Sequence, residues 1–330
     1  MRREGREGAV LIIVLLVIAA AAFLILESGK YLRIDYEGAA GQRLQASGGS
    51  LLHGGLVVAS ELLLYDLRHG GATQDTQFDN WAKAGDLYNE LSRGLDSGEL
   101  HGGITAEDGL IDLDSMRKTD DQGKAQRQIL LRLLSGLLAA HDIEGDPNAF
   151  LTSIQIWMGA KDTQNDAVWY ASRKPGYERR GDNFVTSEEL RLVRWKGLSD
   201  EDRLRILDGR DGVPGLLRFV TLWSDGTINM NVAPREVLAA VCPNWDLRGD
   251  FVEAVEAYRT DGANQLSGTW YTTVAGRVGV VKDFPTAALA STSQHYRVSL
   301  VATVGAATIR STTIVKRNTQ HVVVLLENVH

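Results

Sequence analysis

The sequence predicts an α+β chain in which a long apolar N-terminal helix leads into a mainly helical middle and a closing antiparallel sheet. Three observations carry this expectation. Residues 9–26 form an uncharged apolar run, helical periodicities recur between Trp81 and Arg259, and β-branched residues alternate from Tyr296 to the end.

At 330 residues the chain is long enough for an anchor and one or two domains with a core of their own. Hydrophobic residues make up 44% and charged residues 23%, an ordinary globular balance that argues against extended disorder. The formal net charge of -7 disfavours a phosphate backbone, so nucleic acid is not an expected partner. Cys242 is the only cysteine and is expected to be a small buried apolar residue.

The run AVLIIVLLVIAAAAFLIL, from Ala9 to Leu26, holds no charge, and at about 1.5 Å per residue it nearly crosses a hydrocarbon layer. Arg2, Arg3 and Arg6 precede it, so the positive-inside tendency keeps the N-terminus cytoplasmic and exports the chain beyond Glu27. A cleaved secretory signal would have to be cut inside the apolar run, at Ala19–Ala22. The short polar leader instead ends in Gly8 and the apolar run starts at Ala9, which resembles a prepilin peptidase site. The resemblance implies removal of residues 1–8, methylation of Ala9 and retention of 9–26 as transmembrane and assembly helix. The glutamate that most pilins carry at the fifth mature position is replaced here by Ile13.

Residues 38–67 continue as a helix, with a kink or break expected near Gly48-Gly49 and Gly54-Gly55, because glycine costs about 1 kcal/mol per position relative to alanine. A polar loop through Gln77 precedes a helical pattern over 81–95. Gly102–Met116 alternates around the turn signal Glu107-Asp108-Gly109. Helices are expected over 126–140 and 148–158, the second opened by Asp146-Pro147. In the stretch INMNVAPREVLAAV a strand runs into a helix: Asn229 and Asn231 hold the entering backbone, Pro234 takes the first turn, and Val237, Leu238 and Val241 face a core. A helix over 250–259 and strands over 296–304, 308–317 and 320–326 complete the pattern.

These motifs together resemble the general secretion pathway protein K family, the minor pseudopilin K of type II secretion. The resemblance rests on the leader and Ile13, the acidic-acidic-Gly turn, and the signature Asn229, Asn231, Ala233, Pro234 and Leu238. Ser293, Tyr296 and Arg317 stand where that family has a serine, an aromatic and a closing arginine. It implies a pilin-like helix packed on a small antiparallel sheet. The helix and the start of the sheet occupy 27–110, a helical domain similar to sterile-alpha-motif and helix-hairpin-helix bundles is inserted over 111–275, and the sheet closes over 276–330. It further implies an inner-membrane protein with a periplasmic body, sited at the tip of a pseudopilus. Its partners would be two other minor pseudopilins, the major pseudopilin and the prepilin peptidase. The residues alone leave open an anchored periplasmic binding or adaptor module and a minor pilin of a type IV pilus.

No catalytic constellation is present: there is no Gly-x-Ser-x-Gly elbow, His-Glu-x-x-His pair or phosphate loop, and no enzyme is expected. The family resemblance also implies calcium, held by oxygen ligands between the tryptophan-containing helix and the next. Here that region offers Asp162, Asp166, Asn183 and Glu188, enough in kind for the six to eight oxygens calcium takes. The family's Trp-Ile-Asp run reads Trp157-Met158-Gly159, one carboxylate short, and Lys161 lies close by. A solvated acidic loop is the alternative. Trp157, Trp169, Tyr170 and Tyr177 are read as core or as a recognition patch.

Overall fold

The computed structural model describes residues 41–330. The anchor at 9–26, the Gly8–Ala9 junction and Ile13 lie outside the described residues.

Helix α1, Gly41–Gly70, runs through both glycine pairs without a break. The expected kink is absent because two of these glycines face the sheet. A Cβ on Gly48 would sit 2.6 Å from Ile309 Cδ1, and one on Gly55 would sit 2.9 Å from Leu300 Cδ1 and 3.0 Å from Leu100 Cδ2. They are contact points that let the helix lie close on the strands, and tertiary packing outweighs their propensity cost. The backbone leaves helical geometry at His69 and Gly70 instead. By length and hydropathy α1 passes as a membrane span, yet Leu52, Ala59 and Leu63 are buried against the sheet.

The chain returns through α2, Ala84–Arg93, into strand β1, Glu99–Ala106. It then leaves the sheet and comes back only at β8, His295–Val304, followed by β9, Ala307–Arg317, and β10, Val322–Val329. The four strands lie in the order β1-β8-β9-β10, antiparallel throughout, with Glu99 opposite Thr303 and His295 opposite Lys316. The edge at β1 is closed: Ser92 Oγ of α2 accepts from Leu100 N at 2.7 Å and donates back to Leu100 O. The edge at β10 is open, and Val323, Val324, Leu325 and Leu326 along it are exposed.

Residues 107–294 form the helical insertion, around a larger core of its own. The expected boundaries shift at both ends. The strand-like stretch after Ala106 becomes a turn and a two-residue strand, β2, Ile111–Asp112, which pairs with β5, Val220–Thr221, inside the insertion. At the other end α9, Trp270–Val278, and the segment through Ala288 and Leu289 pack into the larger core, so 276–294 belongs to the helical unit.

At the centre of the insertion lies α3, Asp121–Ala140, whose Ile129, Leu130, Leu133, Leu134 and Leu137 are buried. Asp120 caps it by accepting from Gly123 N at 2.8 Å, and Asp146 caps α4, Pro147–Trp157, by accepting from Asn148 N at 2.9 Å. Around these pack α5, Asp166–Ala171, and α6, Asp200–Asp208. The short strand β6, Ile228–Asn229, leads through Pro234, here the N-cap residue, into α7, Arg235–Val241. Helix α8, Arg248–Thr260, completes the bundle. Trp157 and Tyr170 are buried, and Trp169 and Tyr177 pack half-buried against the same core, so this aromatic group is interior.

Candidate functional site

The signature residues converge on a carboxylate that lies between the two cores. Asp75 sits in the loop after α1 and is fully buried. Arg317, at the end of β9, donates through Nη2 to both Asp75 oxygens at 2.7 Å. Tyr296 Oη of β8 donates at 3.0 Å and Ser293 N at 2.8 Å. Desolvation is the largest influence on Asp75 and raises its pKa, while Arg317, the Ser293 amide and Tyr296 pull it back. Tyr296 is itself pushed well up by burial and by the neighbouring Asp75.

The asparagines of β6 extend this network into the insertion. Asn229 Nδ2 donates to Asp75 O at 3.1 Å and to Ser293 Oγ at 2.8 Å, and its Oδ1 accepts from Asn231 N at 3.0 Å. Asn231 Nδ2 donates to Leu266 O and Ser291 O, and Trp270 Nε1 donates to Asn231 Oδ1 at 2.8 Å. Every polar group of the two side chains is therefore used, as their burial requires. Ala233 and Leu238 are fully buried beside them in the insertion core. The motif read as a strand entering a helix thus ties three segments together: the loop after α1, the strand β6 and the return to the sheet.

A second set of buried carboxylates fixes the points where the chain leaves and rejoins the sheet. Asp108 Oδ2 accepts from the amides of Gln294 and His295 at 2.6 and 2.8 Å, and its Oδ1 lies 3.2 Å from His295 Nδ1. Glu107 pairs with Arg297 Nε at 2.6 Å and accepts from Thr221 Oγ1. The acidic-acidic-Gly turn therefore clamps entry to exit.

The four candidate calcium ligands do not come together. Asp162 accepts from the amides of Gln164, Asp166 and Ala167 at 2.9 to 3.1 Å and so caps α5. Desolvation is the largest single influence on its carboxyl and raises it, but the three amides together hold it below the ordinary range. Asp166 is buried, accepts from Ser153 Oγ at 2.6 Å and pairs with Arg194 at 3.1 Å. Asn183 accepts from Arg117 at 2.9 Å, beside a different acidic group, and Glu188 is exposed and pairs with Arg191. Among the described residues no three His, Cys, Asp or Glu side chains gather as a metal set. As placed, these four residues do not fit one calcium ion.

Asn183 stands instead next to Asp114, with Asp112 and Asp225 on the same concave surface. Burial, and then the neighbouring Asp112, push Asp114 up to about 6. Lys118 lies 3.7 Å from Asp112.

No family model and no curated protein matches the sequence. Among solved structures, the chain superposes on GspK in the crystal structure of the GspK-GspI-GspJ complex from the enterotoxigenic Escherichia coli type 2 secretion system. The superposition has a TM-score of 0.62 and 15% identity, and it covers 88% of this chain and 99% of that one. The fold is that of GspK. Because the match takes in nearly all of the GspK chain, it includes the helical insertion as well as the helix and sheet. The hydrogen bonds described above make Asn229, Asn231, Ser293, Tyr296 and Arg317 structural: they hold insertion and sheet in one arrangement. Asp75 and His295, which complete it, carry no local sequence signal, whereas Asp108 is marked in the sequence only as part of a turn.

Proposed function

We propose that the chain is a minor pseudopilin of a type II secretion system that caps the pseudopilus tip and helps start its assembly. The observation that carries this reading is the GspK fold taken whole, with an insertion larger than the described helix-and-sheet body and fixed to it by the buried Asp75–Arg317 pair and the half-exposed Glu107–Arg297 pair. A rigidly mounted insertion on a helix-and-sheet body blocks the addition of a further subunit above it. Its role is structural and not enzymatic. The apolar run at 9–26, cut after Gly8 and methylated at Ala9 by the prepilin peptidase, anchors the chain in the inner membrane with its body in the periplasm. With no charge at Ile13 it need not dock beneath another subunit, and it is drawn into the helical stalk at the tip.

The solved neighbour is a complex with GspI and GspJ, which supports two other minor pseudopilins as partners; the major pseudopilin would lie below them. The open apolar β10 edge is surface that such a neighbour can cover. Calcium binding would require Asp166, Asn183 and Glu188 to leave their present partners and gather at Asp162.

The test is the intact mass and N-terminal residue of the protein extracted from its native membrane. A chain beginning at methylated Ala9 supports the reading, and Gly8→Phe should then accumulate the uncut precursor. A chain beginning at Met1 or beyond Ala22 overturns it in favour of an anchored binding module.

A further inference from the structure

A cavity of about 290 Å³ opens between α3 and α7, far in function from the junction at Asp75. Its walls are apolar, built from residues such as Leu133, Leu137 and Ala240, and its lip is Trp245, which is 50% exposed. The guanidinium carbon of Arg248 lies 3.3 Å from the centre of the Trp245 ring, and Arg132 also lines the pocket, anchored to the carbonyls of Ala240 and Val241. Among the described residues neither arginine has a carboxylate within ion-pair distance. Both line the same pocket as Cys242. Glu236 is the one carboxylate on the lining, which leaves the pocket cationic in a chain of net charge -7.

An apolar cavity open to water beside exposed tryptophan and arginine has the composition of an interface hot spot. Its size is just below the range of about 300 to 1,000 Å³ usual for small-molecule sites, and suits one large side chain. We propose that this pocket is a docking site for a partner polypeptide that inserts an apolar side chain with a carboxylate beside it. The apolar group displaces water from the Leu133–Leu137 wall, and the carboxylate accepts from Arg248 and Arg132. The inference does not depend on the chain being a pseudopilin.

The minimal probe is N-acetylphenylalanine, titrated into the detergent-extracted full chain with its uncharged amide and octanoate as comparisons. Binding is followed by the fluorescence that Trp245→Phe removes. The acid should bind about fivefold more tightly than the amide, the effect of one partly exposed ion pair, and Arg248→Gln should erase that preference while leaving the weaker apolar binding. Gly136, on the pocket wall, has open space where a Cβ would go, so Gly136→Leu should fill the cavity without harming α3 and abolish binding of both. Equal affinities for acid and amide, no saturable signal by about 10 mM, or binding unchanged in Gly136→Leu overturns the proposal. Octanoate binding more than about tenfold tighter than the acid overturns the polypeptide assignment in favour of an acyl-chain site.

Discussion

Replacing Arg317 by methionine tests the junction at its most exposed point in energy, although the residue is among the least exposed in space. The Arg317 side chain is 3% exposed and its partner Asp75 is fully buried, so Arg317→Met keeps the apolar stem but leaves a carboxylate without its cation. Breaking one side of a buried pair costs about 3 to 5 kcal/mol, a large share of the 5 to 15 kcal/mol that holds a typical domain. For a body of this size that corresponds to a drop of roughly 6 to 20 °C in Tm. Part of the loss is desolvation of Asp75, so the double variant Asp75→Asn/Arg317→Met should be less damaged than the sum of the single variants by about 2 kcal/mol. Urea unfolding of the extracted protein followed by tryptophan fluorescence measures both. Because the pair joins two cores, the single variant should also split the transition into two phases. An Arg317→Met cost under about 1 kcal/mol, or strict additivity in the double variant, would refute the assignment of this pair as the lock.

Asn231→Ala strands the Trp270 indole N–H and two carbonyls in the interior, and should cost about 2 to 4 kcal/mol in the same assay. Asp114 has a folded-state pKa above its ordinary value, raised to about 6, so its ionisation opposes folding and stability is lost as pH rises through the interval from 3.8 to about 6. Asp114→Asn should therefore stabilise the protein at pH 7.5 by roughly 1 to 2 kcal/mol after allowing for its partial exposure, with the gain vanishing near pH 4. His141 behaves in the opposite sense. Its pKa is lowered, first by burial, so the stability it contributes is present above 6.5 and lost as pH falls below that value. Thermal scans of His141→Leu between pH 7.5 and 5.5 should show a flatter slope than the parent. Gly102→Ala in β1 places a Cβ 2.2 Å from Ser299 O of the neighbouring strand, and should lower Tm by several degrees without altering α3 or its pocket.

The features legible in the sequence are those that repeat locally. The stripe of leucines in α3, the Asp146-Pro147 start of α4 and the β-branched alternation of β8 and β9 each contain their own period, and each is found within a few residues of its expected place. The glycines of α1 mislead because propensity describes a helix in water, whereas Gly48 and Gly55 face strands that need the room. The end of the insertion falls later than expected because α9 looks like a connection until the core it enters is known. The calcium candidates fail to assemble for a related reason. Residues close in one loop look close in space, but Asp162 and Asp166 are already committed to capping and pairing, and Asn183 lies across the fold beside Asp114.

The lock at Asp75 is the least legible feature and explains the most. Its two charges stand 242 positions apart, one in a polar loop and one at a strand end, and neither position is unusual for its residue type. Only the topology brings them together. The chain leaves the sheet after β1 and returns at β8, so the insertion hangs on two crossing points that two short linkers alone would leave free to pivot. Buried ion pairs are a costly way to gain stability, but they have one favoured geometry and penalise all others. Placed at the crossings, the buried Asp75–Arg317 pair, with the half-exposed Glu107–Arg297 pair and the amides of Gln294 and His295 donating to Asp108, converts a hinge into a fixed angle. The proposed role, ending an assembly by the bulk of the insertion, requires that angle to be held, and the junction is where Asp75, Glu107, Asp108 and Arg317 are buried together.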